Sequence, residues 1–563
     1  MSDSRQHPHI PKLQEALAEG RIGRREFLRS STLLGLSAGA AYAFAGRVTG
    51  HGFAGGFAAP ARAAVPKGGS IKIGMPVMEV VKPHAHNWLQ PANITLQTCE
   101  TLTRTHQDNI TRPLLLESWE ASDDLKTWTL KLRQDVKWHS GRPLVADDVV
   151  WNLKYVLDPA NGSSSLGLMK SYMLEEFDTG EKNDDGSAKM STRLWDANAI
   201  EKVDDQTVRL NLKLPQVAIP EHLFHYTSAI TDPEENGEYK VGSNGTGPFT
   251  LVEHQVGVKA VLEAKQGYYR DGPYLDRVNF IDLGEDPSAL VGALASKQVD
   301  LIFSADISLL DTMKAIPHLE VHQAHTANTA VVQMNITKKP YDDPKVRQAL
   351  RYGMDSNKCV ELALRGFGLA GEHHFVCPVH PDYAQLPEMT RDPAKAKQLL
   401  AEAGYPDGID IEFNCKKDPA WEFAAVQAMT EQWKEAGIRA NINVMPSAQF
   451  WDVWDKFPMG YVAWAHRPLG FMVLSLGFRS GVPWNPTGFA DKEFDDLLNQ
   501  AEATLDIEER KPIMAKLEQI MQERGPIAQP IWEDTVTAAT KSVKGFTMHP
   551  AKFFFCEELG IEA

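Results

Sequence analysis

Apolar and polar positions alternate with a period of two over "GSIKIGMPV", where Ile71, Ile73 and Met75 face one way and Ser70, Lys72 and Gly74 the other. That period predicts a half-buried strand. "TWTLKLRQDVKWH" repeats the pattern, with Trp128, Leu130 and Leu132 opposite Thr129, Lys131 and Arg133, and stops at the turn "SGRP". The period then changes. In "ADDVVWNLKYVLDP" the residues Val149, Val150, Leu153, Val156 and Leu157 recur at helical spacing. Asp147 and Asp148 suit the positive N-terminal end of such a helix, and Pro159 lies just beyond it. The stretch "EEFDTGEKNDDGSAK", from Glu175 to Lys189, is charged and glycine-bearing and reads as a solvated loop. "QTVRLNLKLP" alternates again, and "GTGPFTLVEH" opens a new segment through a glycine-rich turn.

Helical periods dominate the second half. Asp343-Pro344 and Asp392-Pro393 each place a capping side chain before a first-turn proline. Gly404 suits the left-handed close of the second of these helices. "FDDLLNQAEATLDIEERKPIMAKLEQIMQE" predicts two further amphipathic helices. Antiparallel-looking strands early and β-α alternation later indicate a mixed α/β chain. No internal repeat is present.

At 563 residues the chain exceeds what one core supports, so two or three lobes are expected. A net charge of −16 argues against a nucleic-acid partner, because phosphate binding needs a basic field. The five cysteines, Cys99, Cys359, Cys377, Cys415 and Cys556, are scattered without a C-x-x-C pair, and read as small buried hydrophobes.

The first ~65 residues differ in kind. Arg24 and Arg25 precede Phe27-Leu28 and an apolar run of small residues from Ser31 to Gly46, too short to span a bilayer. This arrangement resembles a twin-arginine export signal. Ala61-Arg62-Ala63 offers a cleavage site, with Ala43-Phe44-Ala45 as an alternative. Residues 1–63 hold eight Lys/Arg and four Asp/Glu, so their removal takes the charge from −16 to −20. An acidic periplasmic protein is expected.

Five blocks in order carry a resemblance that covers nearly the whole remaining chain. They are "LLLESWEASDDLKTWTLKLRQDVKWHSGRPLVADDVVWNLKYV", "GTGPFTLVEHQVGVKAVLEAKQGYYRDGPYLDRVNFIDL", "ALASKQVDLIF", "MNITKKPYDDPKVRQALRYGMDSNKCVELALRGFG" and "DPAKAKQLLAEAGYPDG". Together they resemble the extracytoplasmic solute-binding proteins of ABC importers, in the family 5 branch serving peptides, nickel chelates and opines. The resemblance implies an α/β, two-lobed periplasmic binding protein type II fold with an extra inserted domain. It assigns residues 1–63 to the signal, and 67–105, 245–328 and 526–563 to a discontinuous lobe I. Residues 106–244 form the inserted small domain and 329–525 lobe II, with hinges near Asn328 and Gly525. The implied partners are a small-molecule solute, the membrane subunits of an ABC permease and, during export, the twin-arginine translocase. A monomer is expected, with no cofactor and no resident metal.

In peptide-binding members, the region matching "AWAHRPLGFMVL" reads like W-x-x-D, and the aspartate holds the ligand ammonium. Here the run is Trp464-Ala465-His466-Arg467-Pro468, and no acid occurs between Tyr461 and Asp491. Arg467 instead offers a planar fork of donors suited to a carboxylate, and His466 adds a donor or a switchable charge. The competing reading pairs Arg467 with an acid of the other lobe or lays it over Trp464. The resemblance brings further candidates to the same pocket: Trp484 for stacking, Asn485 as donor and acceptor, Met78, Glu79 and Trp88 after the first strand, and Asn328 near the hinge.

Two other readings stay open. His84 and His86 form H-x-H, His318, His322 and His325 cluster, and His373-His374 are adjacent, which keeps a nickel or metal-chelate receptor as an alternative. An exported enzyme is the weaker alternative, since no H-E-x-x-H, G-x-S-x-G or Walker loop is present. Asp123-Asp124, Asp147-Asp148 and Asp495-Asp496 fall where capping and solvation account for them.

Overall fold

The computed structural model describes residues 9–34, 41, 44, 45, 48, 65–163, 165–182, 187–284 and 286–562. The chain divides into two compact units. One holds Met1–Phe303, Ile316–Glu320 and Ala538–Ala563, and the other Ser304–Ala315 and Val321–Thr537.

The first unit opens with helices α1 (Ile10–Ala18) and α2 (Arg24–Leu33). Ile10, Leu13 and Leu17 are buried, as are Ile22, Phe27 and Leu28. Arg24 starts α2, whereas the side chain of Arg25 and the cleavage-site residues Ala43, Ala61, Arg62 and Ala63 lie outside the described residues. Strand β1 (Ser70–Gly74) is the alternating strand expected there, with Ile71, Ile73 and the following Met75 buried.

A four-stranded antiparallel sheet follows, built from β2 (Leu116–Ala121), β3 (Thr127–Leu132), β6 (Ile200–Asp204) and β7 (Thr207–Asn211) in the order β2-β3-β7-β6. Trp128, Leu130 and Leu132 bury one face of β3, as its period predicts. Helix α3 (Ala146–Val156) packs on this sheet. Asp148 in its first turn is more than a solvated helix-start acid. It is buried, accepts from Trp138 Nε1 at 3.1 Å and from Arg142 at 2.8 and 2.9 Å, and takes the Val145 N–H at 3.0 Å. Arg142 also reaches Asp232 at 3.0 Å, 90 residues away in sequence.

The stretch expected to be a solvated loop is instead a hairpin, β4 (Leu174–Lys182) and β5 (Ala188–Leu194). Its polar sequence hides any period because both faces are largely exposed. Register is held by cross-strand pairs, Glu175–Arg193 at 2.9 Å and Glu181–Lys189 at 2.7 Å.

The chain then returns through β8 (Phe249–Gln255), β9 (Lys259–Ala264), β10 (Arg277–Ile281) and β11 (Leu301–Ile302), which order as β8-β9-β10-β1-β11. Strand β1 runs parallel to both β10 and β11. The turn into β8 needs its glycines. A Cβ on Gly245 would meet the Thr98 carbonyl oxygen at 2.0 Å, and the Gly247 N–H bonds that oxygen at 2.8 Å. Ile71, Ile73, Phe249, Leu262, Val278 and Phe280 fill the core below, each large side chain stabilising the fold by about 1.5–3 kcal/mol.

In the second unit a sheet orders as β16-β12-β15-β13-β14, from β12 (Leu319–Met334), β13 (Ile409–Lys416), β14 (Ile438–Met445), β15 (Met459–Trp464) and β16 (Ile527–Thr540). Strands β12 and β16 are also where the chain passes from one unit to the other. Helices α4 (Pro344–Tyr352) and α5 (Pro393–Glu402) begin at Asp343 and Asp392, whose carboxylates accept the Lys345 and Lys395 N–H groups. Helix α6 (Ala420–Trp433) joins the parallel pair β13 and β14.

Helix α7 (Gly470–Gly477) is wholly buried, and α8 (Lys492–Ala503) and α9 (Ile507–Arg524) are the two amphipathic helices expected. Arg347 and Arg351 on α4 are buried and donate to the carbonyls that end α9, at Arg524 and Gly525, and to that of Ile527 in β16. Cations there complement the negative end of the helix dipole. Burial brings the Arg351 guanidinium down to about 9. Among the described residues no helix is long and apolar enough to cross a membrane.

Candidate binding turn

Strand β15 is paired antiparallel to β12, with Trp464 opposite Thr329 and Tyr461 opposite Val332. Its last residue leads into the turn Ala465–Leu469 and then the buried helix α7. A turn with this much polarity in a dry region must have its backbone groups met. They are met by side chains from distant parts of the same unit. The His466 N–H donates to Asn328 Oδ1 at 2.8 Å, and the Ala327 N–H donates back to His466 Nδ1 at 3.0 Å. Asn328 Nδ2 donates to Thr535 Oγ1 at 2.8 Å, tying the turn to β16. His380 takes the Cys377 N–H on Nδ1 and donates from Nε2 to the Arg467 carbonyl, both at 3.0 Å.

Those contacts set the tautomers. Because Nδ1 of His466 accepts a backbone N–H, its ring proton sits on Nε2, which makes His466 a fixed donor. Arg467 is buried, and its guanidinium donates to the carbonyls of His466 at 3.0 Å and Ala465 at 3.4 Å, folding the side chain back over its own turn.

An aromatic cluster backs the turn. Trp464 meets Phe375 edge-on at 5.6 Å, Phe478 at 6.0 Å, Trp484 at 6.2 Å and Trp454 at 6.4 Å. Such pairs contribute about 0.5–1.5 kcal/mol beyond their buried area. Gly477 at the end of α7 is required for this packing, since a Cβ there would lie 2.6 Å from Trp464 Cη2. Trp484 is half-buried and reaches the cluster. Asn485 does not present its amide in the same way. Its Nδ2 bonds the Phe489 and Arg479 carbonyls at 2.8 and 3.1 Å, and its Oδ1 accepts from Thr487, so it organises its own loop.

Of the sequence candidates, the second unit thus gathers Asn328, Trp464, His466, Arg467 and Trp484. Met78, Glu79 and Trp88 belong to the first unit, in the segment after β1. There the Met78 carbonyl accepts from His254 Nε2 at 3.0 Å, Glu79 is exposed, and Trp88 precedes the helix Leu89–Thr95. Phe375, His380 and Trp532 were not singled out by sequence; each lies far along the chain in unpatterned or strand context, and only folding brings it to the turn.

The histidine groups do not converge. Among the described residues no group of three or more His, Cys, Asp or Glu side chains could hold a metal ion. The reason is visible in their bonds. His373 and His374 accept the Gln529 and Val376 N–H groups on Nδ1, and His84 bonds the Ala229 carbonyl through Nε2. Burial lowers His84 and His86 to about 4 and His373 to about 3, which keeps these rings neutral. All five cysteines are free and buried. A shallow groove of about 860 Å³ lies elsewhere, between α6 and the β13–β14 edge, but its charged lining includes the internal pair Asp410–Arg439 at 2.7 Å.

Residues 111–481 match the family model for bacterial extracellular solute-binding proteins, family 5. Heme-binding protein A of Haemophilus influenzae is 27% identical over 469 residues, covering 78% of this chain and 82% of the relative. The glutathione-binding protein GsiB of Escherichia coli K12 is 27% identical over 480 residues, covering 80% and 86%. In fold, the chain is similar to the binding protein AgaA of A. tumefaciens R10 in complex with agropinic acid. The TM-score is 0.75 at 23% identity, over 88% of this chain and 99% of that one.

Proposed function

The chain belongs to family 5 of the bacterial extracellular solute-binding proteins, and on that premise we propose that its turn at Arg467 receives an acidic group of the solute. The protein is a substrate-binding component of an ABC importer: it captures a small solute outside the cytoplasm and delivers it to a membrane permease. Its relatives are binding proteins for different cargo, so family membership leaves the solute's charge to be argued from the site.

One observation carries the reading. Where peptide-binding members of the family place an aspartate, this chain has His466-Arg467, and no acid follows until Asp491. His466 is held as an Nε2 donor, and Arg467 is desolvated beside it, so the turn supplies positive potential and N–H groups. In a region screened from water a charge-assisted contact of this kind is discriminating. The solute class is peptide-like, opine-like or otherwise carboxylate-bearing. Export through the twin-arginine translocase on Arg24-Arg25 completes the reading, with the periplasm as destination. No observation favours the metal-chelate alternative, because the histidines nearest this turn use Nδ1 for backbone N–H groups.

Arg467→Ala tests the assignment by calorimetric titration with glutathione and with agropinic acid. Loss of a desolvated charge-assisted contact costs on the order of 2–5 kcal/mol of affinity for whichever acid the parent protein binds. Unchanged affinity would remove Arg467 from the site.

A further inference from the structure

Acceptors at the turn are engaged while donors are in excess. The carbonyls of Ala465 and His466 accept from Arg467, that of Arg467 from His380, and Asn328 Oδ1 from the His466 N–H. By contrast, Trp464 Nε1 and Trp532 Nε1 are buried N–H groups with no hydrogen-bond partner among the described residues. An indole N–H can only donate, and a dry, unmet donor is costly. Unmet groups of this kind in a native interior call for an explanation.

The two indoles are also linked in space. Both stand edge-on to one ring, Phe375, at 5.6 Å for Trp464 and 6.2 Å for Trp532. Trp532 in turn lies 6.5 Å from His380, the residue that holds the Arg467 carbonyl. Phe375 has φ +70°, and His373 two residues earlier has φ +64°. A bulky side chain adopts the left-handed region only where its surroundings demand it, and such strain concentrates at ligand sites. Here it sets the Phe375 ring between the two tryptophans.

Building on the receptor reading above, we propose that Trp464 and Trp532 are a pair of specificity donors whose N–H groups meet acceptor atoms of the bound solute. With Arg467 they enrich the turn in donors. It selects solutes rich in carboxylate and carbonyl oxygen, and it disfavours those that direct an ammonium at this turn. Trp532, on β16 and 68 residues beyond Trp464, is the new member of the site.

The test replaces each indole singly by its benzothiophene isostere, which keeps the fused ring and removes the N–H. Glutathione and agropinic acid serve as probes, and the solute-free protein is unfolded in parallel. Each replacement is expected to weaken binding of the acidic probe about tenfold and leave the solute-free unfolding midpoint unchanged. Unchanged affinity overturns the proposal, and so does a lowered midpoint, which would mean the N–H has a structural partner. The Arg467→Ala variant separates the two readings. If it loses affinity while the isosteres do not, the carboxylate reading stands and the donor pair falls; the reverse pattern upholds the pair without the arginine. If the parent protein binds neither probe, the carboxylate reading falls, and the unfolding midpoints alone decide whether the N–H groups are unmet.

Discussion

Arg104 in the first unit and Arg467 in the second are both nearly excluded from water, at 4% and 9% exposure, yet they are satisfied in opposite ways. Arg104 pairs with Glu557, lies 4.2 Å above the Phe555 ring, and belongs to a closed cluster that includes Arg270, 3.5 Å from the same carboxylate. Glu100 beside them accepts from Tyr268 and Tyr269 at 2.6 and 3.0 Å, and burial pushes its carboxyl up. Burial alone would raise Glu557 too, but Arg104 and Arg270 reverse this and hold it below the usual carboxylate range. Arg467 instead folds over carbonyls of its own turn, and the indole N–H groups of Trp464 and Trp532 have no acceptor among the described residues. A buried arginine matched to a carboxylate within its own unit belongs to the scaffold. One that donates to carbonyls of its own turn is the arginine proposed to receive an anion.

That contrast can be broken most forcefully at Arg104. Arg104→Ala leaves Glu557 desolvated beside Arg270 alone, and about 3–5 kcal/mol of folding stability is expected to go, read as a fall in the denaturant midpoint. A loss below about 1 kcal/mol would put Arg104 in the same class as a surface ion pair and void the comparison. Arg467→Ala carries the opposite signature: its 2–5 kcal/mol is expected in solute affinity rather than in the unfolding midpoint. If the midpoint falls and affinity holds, Arg467 is scaffold as well.

A third buried group sharpens the distinction through pH. Glu518 on α9 is fully buried, its Oε1 accepts the Ala384 N–H at 3.1 Å, and its Oε2 lies 3.7 Å from His374 Nε2. Burial raises this carboxyl to about 9, with Asp382 and Glu372 adding to the rise. The folded protein therefore keeps a proton that the unfolded chain releases near the ordinary carboxylate range of ~4.3. Stability is fullest below that range and falls by up to about 1.4 kcal/mol per pH unit as pH rises towards about 9. Melting curves from pH 5 to 9 should show this decline, and Glu518→Gln should flatten it. An identical slope in the variant would assign the proton elsewhere. The indole isosteres are the smallest test, about tenfold in affinity with no change in the midpoint.

Much of this molecule was legible before folding. The strands at Ser70 and Thr127 follow from period-two alternation, because one face of each is buried and the other is not. The helices after Asp343 and Asp392 follow from local chemistry, a capping carboxylate and a proline where no N–H is needed. The hairpin from Leu174 to Leu194 was not legible, since charge pairs rather than a buried face hold its register. Asp148 was misjudged for a related reason. Its role as a capping acid is local, but the Arg142–Asp232 contacts that bury it come from the chain's path. At the candidate turn, Trp464, His466 and Arg467 stood out as an improbable run of residues, whereas Phe375, His380 and Trp532 carried no local signal.

By itself the sequence determined the family, the α/β class, the periodic elements and the missing acid at the turn, because each is written in near neighbours or in ordered blocks. Tertiary structure decided which donors and acceptors remain over. It committed His466 to a single tautomer through Ala327, consumed the amide of Asn485 within its own loop, and set two tryptophans against one strained phenylalanine. Hydrogen-bond satisfaction is a property of atoms within about 3 Å of each other, and Ala327 and Asn328, which meet His466, lie 139 and 138 positions from it along the chain.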